Sequence, residues 1–330
     1  MLKVGIVGVG GMGSNHAARY SQMDDVQIAG VYDHDDQTAE RIVRQFGATK
    51  YGNVDQLIRA VDYVDICTPT NTHVDLLEQV ANAGKSVFTE KPLGRTLEEC
   101  KRAVEAVRKN NVLCMPGHVV RFCPEFKRAK EMVGDGAVGT PAAIRTTRAR
   151  VPMGGWNADT SMRGGVILDL IVHDFDWIRW TFGPVERVFA RGIAANKPGG
   201  FDYALVTLKL KNGAIAHVEG SWAEPSNFFV AFEIAGDKGL LDYNSNRDSS
   251  FKVTKAKTET TTGFSLFESP LTPQEDPLYL ELRHFADCVI AGKEPDITVE
   301  DGYEAARIAL AALESAKTGQ PVDLTVGGVI

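Results

Sequence analysis

Short apolar runs and longer amphipathic stretches alternate along residues 1–119. The runs at 3–7, 27–32, 63–67, 86–89 and 112–115 have the length and β-branched content of buried strands. Segments between them, such as 72–83 and 96–110, carry apolar residues at helical spacing, and Gly84 stands where a helix C-terminus favours glycine. This alternation predicts a parallel, doubly wound α/β sheet. Past Gly117 the rhythm changes: 125–133 reads as a helix, and 166–181 as a long one, apolar nearly all round. Period-two runs at 203–210 and 214–222 flank Lys211-Asn212-Gly213, a strong hairpin signal. Further strand-like runs lie at 228–235 and 251–256, a polar loop at 258–277, and helices at 278–291 and 299–317. The expected organisation is one domain over 1–119 and an α+β domain with a mostly antiparallel sheet over 120–330, the C-terminal helices able to pack back on the first.

The first strand runs straight into Gly8-Val9-Gly10-Gly11-Met12-Gly13, and the second ends in Asp33, 20 residues after Gly13. A G-x-G-x-x-G between strand and helix with an acid at that distance is the fingerprint of a dinucleotide site. Gly8 permits the tight turn, Gly10 lets backbone approach a pyrophosphate, and Gly13 lets the helix pack on the strand. The helix N-terminus then holds the phosphates. A carboxylate at Asp33 accepts hydrogen bonds from a ribose 2′-hydroxyl and repels a 2′-phosphate. Residues 33–37 contain no Arg or Lys, and the nearest cation, Arg41, lies on the following helix, so NAD is expected over NADP.

Composition narrows the partners. The 330 residues carry a formal net charge of −7 and a pI near 5.6, which points to neither nucleic acid nor an anionic membrane surface. No run approaches the ~18 apolar residues of a membrane span, and residues 2–7 read as a core strand and not as a secretion signal. The five cysteines form no C-x-x-C and the seven histidines are scattered, so free thiols in a cytoplasmic protein without a metal are expected.

Two further segments carry candidate chemistry. Lys91 follows a strand end and precedes Pro92, where open α/β sheets place ligands. A cation there could face a nicotinamide and a reacting carbonyl, or be an ordinary surface lysine. In the apolar helix, Asp169, His173 and Asp176 make a polar stripe at i, i+4 and i+7. Buried polar groups need partners, so the stripe serves either a satisfied core contact or a polar ligand, with His173 available as a general acid or base.

Taken together, Gly8–Gly13, Cys67-Thr68-Pro69-Thr70-Asn71-Thr72-His73, the stretch 83–93 containing Glu90-Lys91-Pro92, the Arg121–Pro124 turn, the helix 164–180 and the closing 298–322 resemble the glucose–fructose oxidoreductase / inositol dehydrogenase / rhizopine-catabolism family, Gfo/Idh/MocA. The resemblance runs almost from end to end. It implies a Rossmann domain followed by an α+β domain whose large open sheet mediates homodimers or homotetramers. It assigns catalytic roles to Lys91, Asp169 and His173, and cofactor contacts to Gly8, Gly10, Gly11, Met12, Gly13, Asp33, Thr68, Pro69, Asn71, His73, Glu90 and Lys91. It implies substrate contacts from Lys91, Arg121, Trp156, Asn157, Arg163, Asp169 and His173, and a Lys91–Pro92 peptide that is often cis. Departures are Arg163 in place of a third glycine and Cys123 where Asn or Asp is common. Lack of a wrapping arm implies an exchangeable cofactor.

The expected activity is NAD-dependent hydride transfer at a secondary hydroxyl of a sugar, inositol or related polyol. An NAD-dependent glycoside hydrolase using transient oxidation and a non-catalytic NAD-binding regulator are the alternatives. Three other features invite a role. His16 lies on the first helix, His73 reads as a cap-region residue, and Arg145, Arg148 and Arg150 read as an anion site or, in preference, as a solvated or subunit-facing sheet surface.

Overall fold

The structure is a computed structural model that describes residues 1–151, 165–194, 200–224, 228–246 and 276–325. Trp156, Asn157, Arg163 and the expected strand 251–256 lie outside the described residues. The chain divides into two compact units, one of Met1–Phe122 with Pro277–Leu310, the other of Cys123–Asp276 with Ala311–Val329.

In the first unit, β1 (Leu2–Val7), β2 (Val26–Tyr32), β3 (Thr49–Lys50), β4 (Tyr63–Ile66), β5 (Ser86–Glu90) and β6 (Cys114–Gly117) form a parallel sheet in the order β3-β2-β1-β4-β5-β6. The winding reverses between β1 and β4, the switch point beyond whose carboxyl ends open α/β sheets hold ligands. The strands are apolar on both faces because both are covered. Val4 and Ile6 join a core with Tyr20, Ile42 and Phe88, whereas Val7 joins Leu57, Ile66, Leu77 and Val104 on the other. Helices α1 (Gly11–Tyr20), α2 (Asp36–Phe46), α3 (Val54–Ala60), α4 (His73–Asn82) and α5 (Leu97–Asn110) supply the cover. Their ends are written locally. Asp35, Asn53 and Thr96 cap α2, α3 and α5 by accepting from backbone N–H groups, and Gly47 ends α2 in the left-handed conformation.

Among its described residues, the second unit is a seven-stranded mixed sheet covered by helices. α6 (Pro124–Gly134) precedes β7 (Pro141–Ala149); α7 (Val172–Phe182) precedes β8 (Val185–Ile193), β9 (Tyr203–Leu210), β10 (Ile215–Ser221), β11 (Phe229–Gly236) and β12 (Leu240–Asn244). The order is β12-β11-β7-β10-β9-β8-β13, where β13 is Val322–Asp323. β7 and β10 pair parallel, and every other neighbouring pair is antiparallel. Alternation sets the faces: Ala204, Val206 and Leu208 are buried, while Leu205 between them is 43% exposed. The buried face meets an aromatic cluster of Phe126, Trp177 and Phe232. Phe189, Leu205 and Ile215 stand exposed on the other.

Helix α8 (Pro277–Ala291) and α9 (Val299–Thr318) complete the chain. α8 belongs to the first unit, where Leu282, Phe285 and Ala286 enter the same core as Val4. α9 contributes its residues up to Leu310 to the first unit and those from Ala311 to the second. Among the described residues, no helix is long and apolar enough to cross a membrane.

Candidate active site

The glycine loop is shaped by close approach. Gly8 has φ of +84°, and a Cβ on Gly13 would lie 2.0 Å from the Gly8 carbonyl oxygen. Gly8 thus allows the turn, and Gly13 lets α1 start against it. A Cβ on Gly10 or Gly11 would meet nothing within 4 Å. Gly10 caps α1 without a side-chain bond, and the first turn carries no acid. The first N–H groups of α1 therefore have no capping side chain and no acid in their turn, which fits a bound pyrophosphate. Met12 is 43% exposed beside them.

Asp33 borders this loop. One carboxylate oxygen accepts from Val9 N at 2.8 Å and the other from Asp35 N at 3.0 Å. A carboxylate has about four acceptor positions; Oδ1 also meets His34 Nδ1 at 3.1 Å, so it is Oδ2 that retains capacity for a ribose hydroxyl. Sequence order put Arg41 away on the next helix, yet the fold returns it to the loop. Its Nη2 donates to Ser14 Oγ at 3.1 Å, and that hydroxyl donates to Val9 O at 2.9 Å.

The ends of β4 and β5 supply the next residues. Thr68 lies against Gly8, whose added Cβ would come within 2.8 Å of its Cγ2. Thr70–Thr72 makes a short 3₁₀ turn that leaves Asn71 exposed, and Pro69 precedes it. His73, read from sequence as a cap-region residue, is buried. Its ring bridges two backbone carbonyls, Pro92 O at 2.9 Å and Thr68 O at 2.8 Å. That bridge ties the loop after β4 to the loop after β5. Burial pushes the His73 pKa below its ordinary value, against the pull of those carbonyls and of Glu90. Glu90 is buried at the end of β5, and Lys91, half-buried, follows with a cis peptide to Pro92.

In the second unit the expected uninterrupted helix is broken. Val166–Leu170 forms a π-helical turn, with Ile171 N donating to Val166 O five residues back at 3.1 Å. Regular α-helix begins only at Val172. The cause is packing: a Cβ on Gly220 of β10 would lie 2.7 Å from Ile171 Cγ2 and 3.1 Å from Val166 Cγ2, so the turn sits directly on the sheet. Such π turns recur at functional sites. Asp169 is 8% exposed within it, His173 is half-buried one residue into α7, and Asp176 is fully buried.

A buried charge pair of this unit involves a residue the sequence did not flag. Asp174 is fully buried and takes Arg148 in a forked contact, Nε to Oδ2 at 2.6 Å and Nη2 to Oδ1 at 3.2 Å. Arg148 lies over the rings of Phe126 and Phe228. The expectation of a solvated arginine surface is therefore corrected for Arg148, because strand alternation turns it inward. Arg145, one position out of phase, is exposed and pairs with Glu233. Arg121, expected at the substrate, is also buried. Its Nη1 donates to Asp301 Oδ2 and Asp296 O, both at 3.2 Å within the first unit.

Scattered histidines hid one cluster. His16, Asp65 and Cys67 bring three metal-ligating atoms within 4.8 Å of one another. Each is already engaged by another member: Asp65 Oδ2 lies 2.8 Å from His16 Nδ1, and Cys67 Sγ lies 3.2 Å from both His16 Nδ1 and Asp65 Oδ1. These contacts make one buried hydrogen-bond network, with His16 Nε2 left over beside Glu90. All five cysteines are free thiols, and burial pushes Cys100 up to about 12, an inert packing thiol.

Strand order, glycine loop and Asp33 together define an NAD-binding oxidoreductase fold. Residues 2–118 match the oxidoreductase family described as an NAD-binding Rossmann fold, and residues 126–242 match the GFO/IDH/MocA C-terminal domain. The chain belongs to the Gfo/Idh/MocA family. It is 31% identical to myo-inositol 2-dehydrogenase of Thermotoga maritima over 98% of each chain. It is 30% identical to scyllo-inositol 2-dehydrogenase (NAD(+)) of Bacillus subtilis, covering 98% of this chain and 97% of that one. The structure of GenD2 from gentamicin A biosynthesis, in complex with NAD, superposes with a TM-score of 0.88 at 26% identity, covering 98% of this chain and 96% of that one.

Proposed function

We propose that this protein oxidises a secondary hydroxyl of an inositol, sugar or related polyol, or catalyses the reverse reduction. The observation that carries the reading is the position of Lys91. It follows β5 at the same sheet edge as the glycine loop, with only β4 between β5 and β1. An ammonium held there is a preorganised donor for charge developing on a substrate oxygen. His173 takes the hydroxyl proton, a task for which imidazole is suited near neutral pH. Asp169 orients His173 or a neighbouring substrate hydroxyl. Thr68, Pro69, Asn71, His73 and Glu90 complete the cofactor surroundings begun by the glycine loop and Asp33. NAD, when bound, supplies the hydride acceptor.

The relatives named as inositol dehydrogenases support the substrate class. Free thiols fit a cytoplasmic setting. The exposed apolar row Phe189, Leu205 and Ile215 fits a subunit-facing sheet in a homodimer or homotetramer. The deciding experiment is NADH production with NAD and a panel of inositols, aldoses, uronates and nucleotide sugars. Net NADH from a free polyol supports the dehydrogenase, whereas its absence alongside glycoside cleavage turns the reading to redox-neutral hydrolysis. On the best substrate, Lys91→Met should lower turnover roughly 10²-fold or more with little change in melting temperature. Ordinary turnover by that variant removes the lysine from the chemistry.

A further inference from the structure

Glu90 is an acid buried beside the lysine just discussed, and it is not alone. His16 of α1 lies fully buried between it and Asp65 of β4. His16 Nδ1 is 2.8 Å from Asp65 Oδ2, and its Nε2 is 3.2 Å from Glu90 Oε1. The second Glu90 oxygen, Oε2, accepts from the backbone N–H of Lys91 at 3.1 Å. A Cβ on Gly117 would approach Glu90 Oε1 to 3.3 Å, so the end of β6 walls off the carboxylate from the other side. The Phe88 ring meets the imidazole edge-on, with centroids 5.6 Å apart.

Two buried carboxylates need a partner that serves both, because an uncompensated buried charge costs several kcal/mol. An imidazole donates from both nitrogens when protonated, in nearly opposite directions. Burial works to lower the His16 pKa, but the Asp65 carboxylate beside it outweighs burial and holds the group well above its ordinary value. Burial likewise works to raise Glu90, but the contact with His16 and the charge of Lys91 hold it low. The Tyr20 and Tyr63 hydroxyls and the Cys67 thiol, also near, are pushed up first by burial and stay neutral. The imidazole thus sits between two carboxylates: Nδ1 bonds Asp65, Nε2 lies at ion-pair distance from Glu90 Oε1 but outside hydrogen-bond geometry, and Glu90 Oε2 takes the Lys91 amide.

We propose that His16 is a positioning residue for Lys91: its ring ties Glu90 to Asp65, and the carboxylate so held pins the Lys91 amide and thereby the direction in which the lysine leaves β5. This rests on the catalytic reading of Lys91 but concerns the backbone that carries it. Loss of the tie loosens a reacting group by a fraction of its own length, and misplacement by about 1 Å costs up to ~10²-fold in rate.

The first test needs neither substrate nor cofactor. In the whole protein, amide hydrogen exchange is followed at Lys91 and, as a control, at Val87, whose N–H donates to Leu113 O in the same sheet. His16→Gln should speed exchange at Lys91 roughly tenfold or more while Val87 keeps its wild-type rate. Glu90→Met, which keeps the stem, removes both carboxylate oxygens and is the variant to use if His16→Gln does not fold, should do the same. Unchanged protection at Lys91, or equal acceleration at both amides, overturns the proposal. The second test uses the best polyol from the panel. His16→Gln should lower kcat about 10- to 100-fold with KM nearly unchanged, and the effect should vanish in a Lys91→Met background. If His16→Gln costs the same with or without the lysine, the positioning role fails. If Lys91→Met itself turns over normally, the catalytic reading of the lysine fails, and the exchange result still decides whether His16 holds the strand end.

Discussion

The two units hold their candidate catalytic residues in opposite ways. In the first, Asp33, Thr68 and Lys91 sit on short loops just past strand ends and His73 opens α4, Asp33 and His73 being held chiefly by backbone groups: Val9 N and Asp35 N for Asp33, the carbonyls of Pro92 and Thr68 for His73. In the second, Asp169 and His173 sit on a buried element that joins a π turn to a helix, next to a buried ion pair between Asp174 and Arg148, 26 residues apart in sequence. A motif made of backbone turns is local, so its residues announce themselves by spacing. An element pressed onto a sheet is placed by whatever lies beneath it, and its neighbours in space are remote in sequence. The difference teaches where substitutions should act: at the loops and at His173 they should change binding and rate, and at the buried pair itself they should change stability first.

The largest expected effect tests that division inside the second unit. His173→Ala should lower kcat by on the order of 10²–10⁴-fold while NAD affinity and melting temperature stay near wild type. Ordinary turnover would return His173 to the role of a core histidine. Next comes Arg148→Met, which keeps the stem and removes the partner of a buried carboxylate. Denaturant melts should show a loss of about 3–5 kcal/mol, and Arg148→Met with Asp174→Leu should recover most of it, because the uncompensated charge is then gone. A change below ~1 kcal/mol in the single variant would mean that the pair does not hold the helix. The smallest effect belongs to the loop side. NAD should bind at least about tenfold more tightly than NADP, a difference of ~1.4 kcal/mol. Asp33→Ala alone should narrow the gap, since Arg41 already reaches the glycine loop through Ser14. Tighter NADP binding by the unaltered protein would reverse the assignment of Asp33.

Much of this was legible along the chain. The strand–helix alternation, the glycine turn and the hairpin at Asn212-Gly213 all rest on local rules, and the corresponding elements appear within a few residues of their expected bounds. β8 was not legible, because Glu186, Arg187 and Arg191 interrupt its apolar positions; the pattern resolves only when Val188 and Ala190 are seen facing the core. The π turn was hidden for a similar reason. An apolar segment reads as regular helix until Gly220, about 50 residues later, is found beneath Ile171.

What the amino-acid order determined by itself was the class of fold in the first unit, its dinucleotide fingerprint and the candidates Lys91, Asp169 and His173, since each depends on period, turn chemistry or short spacing. Only the tertiary structure decided which charges face inward. Arg121 and Arg148 read as surface or substrate groups and are buried in ion pairs, while His16, Asp65 and Glu90, 49 and 74 residues from the histidine, meet in one network. Side-chain type records what a residue can bond. Its partner is set by which strands become neighbours, and that is settled by burying the whole sheet at once.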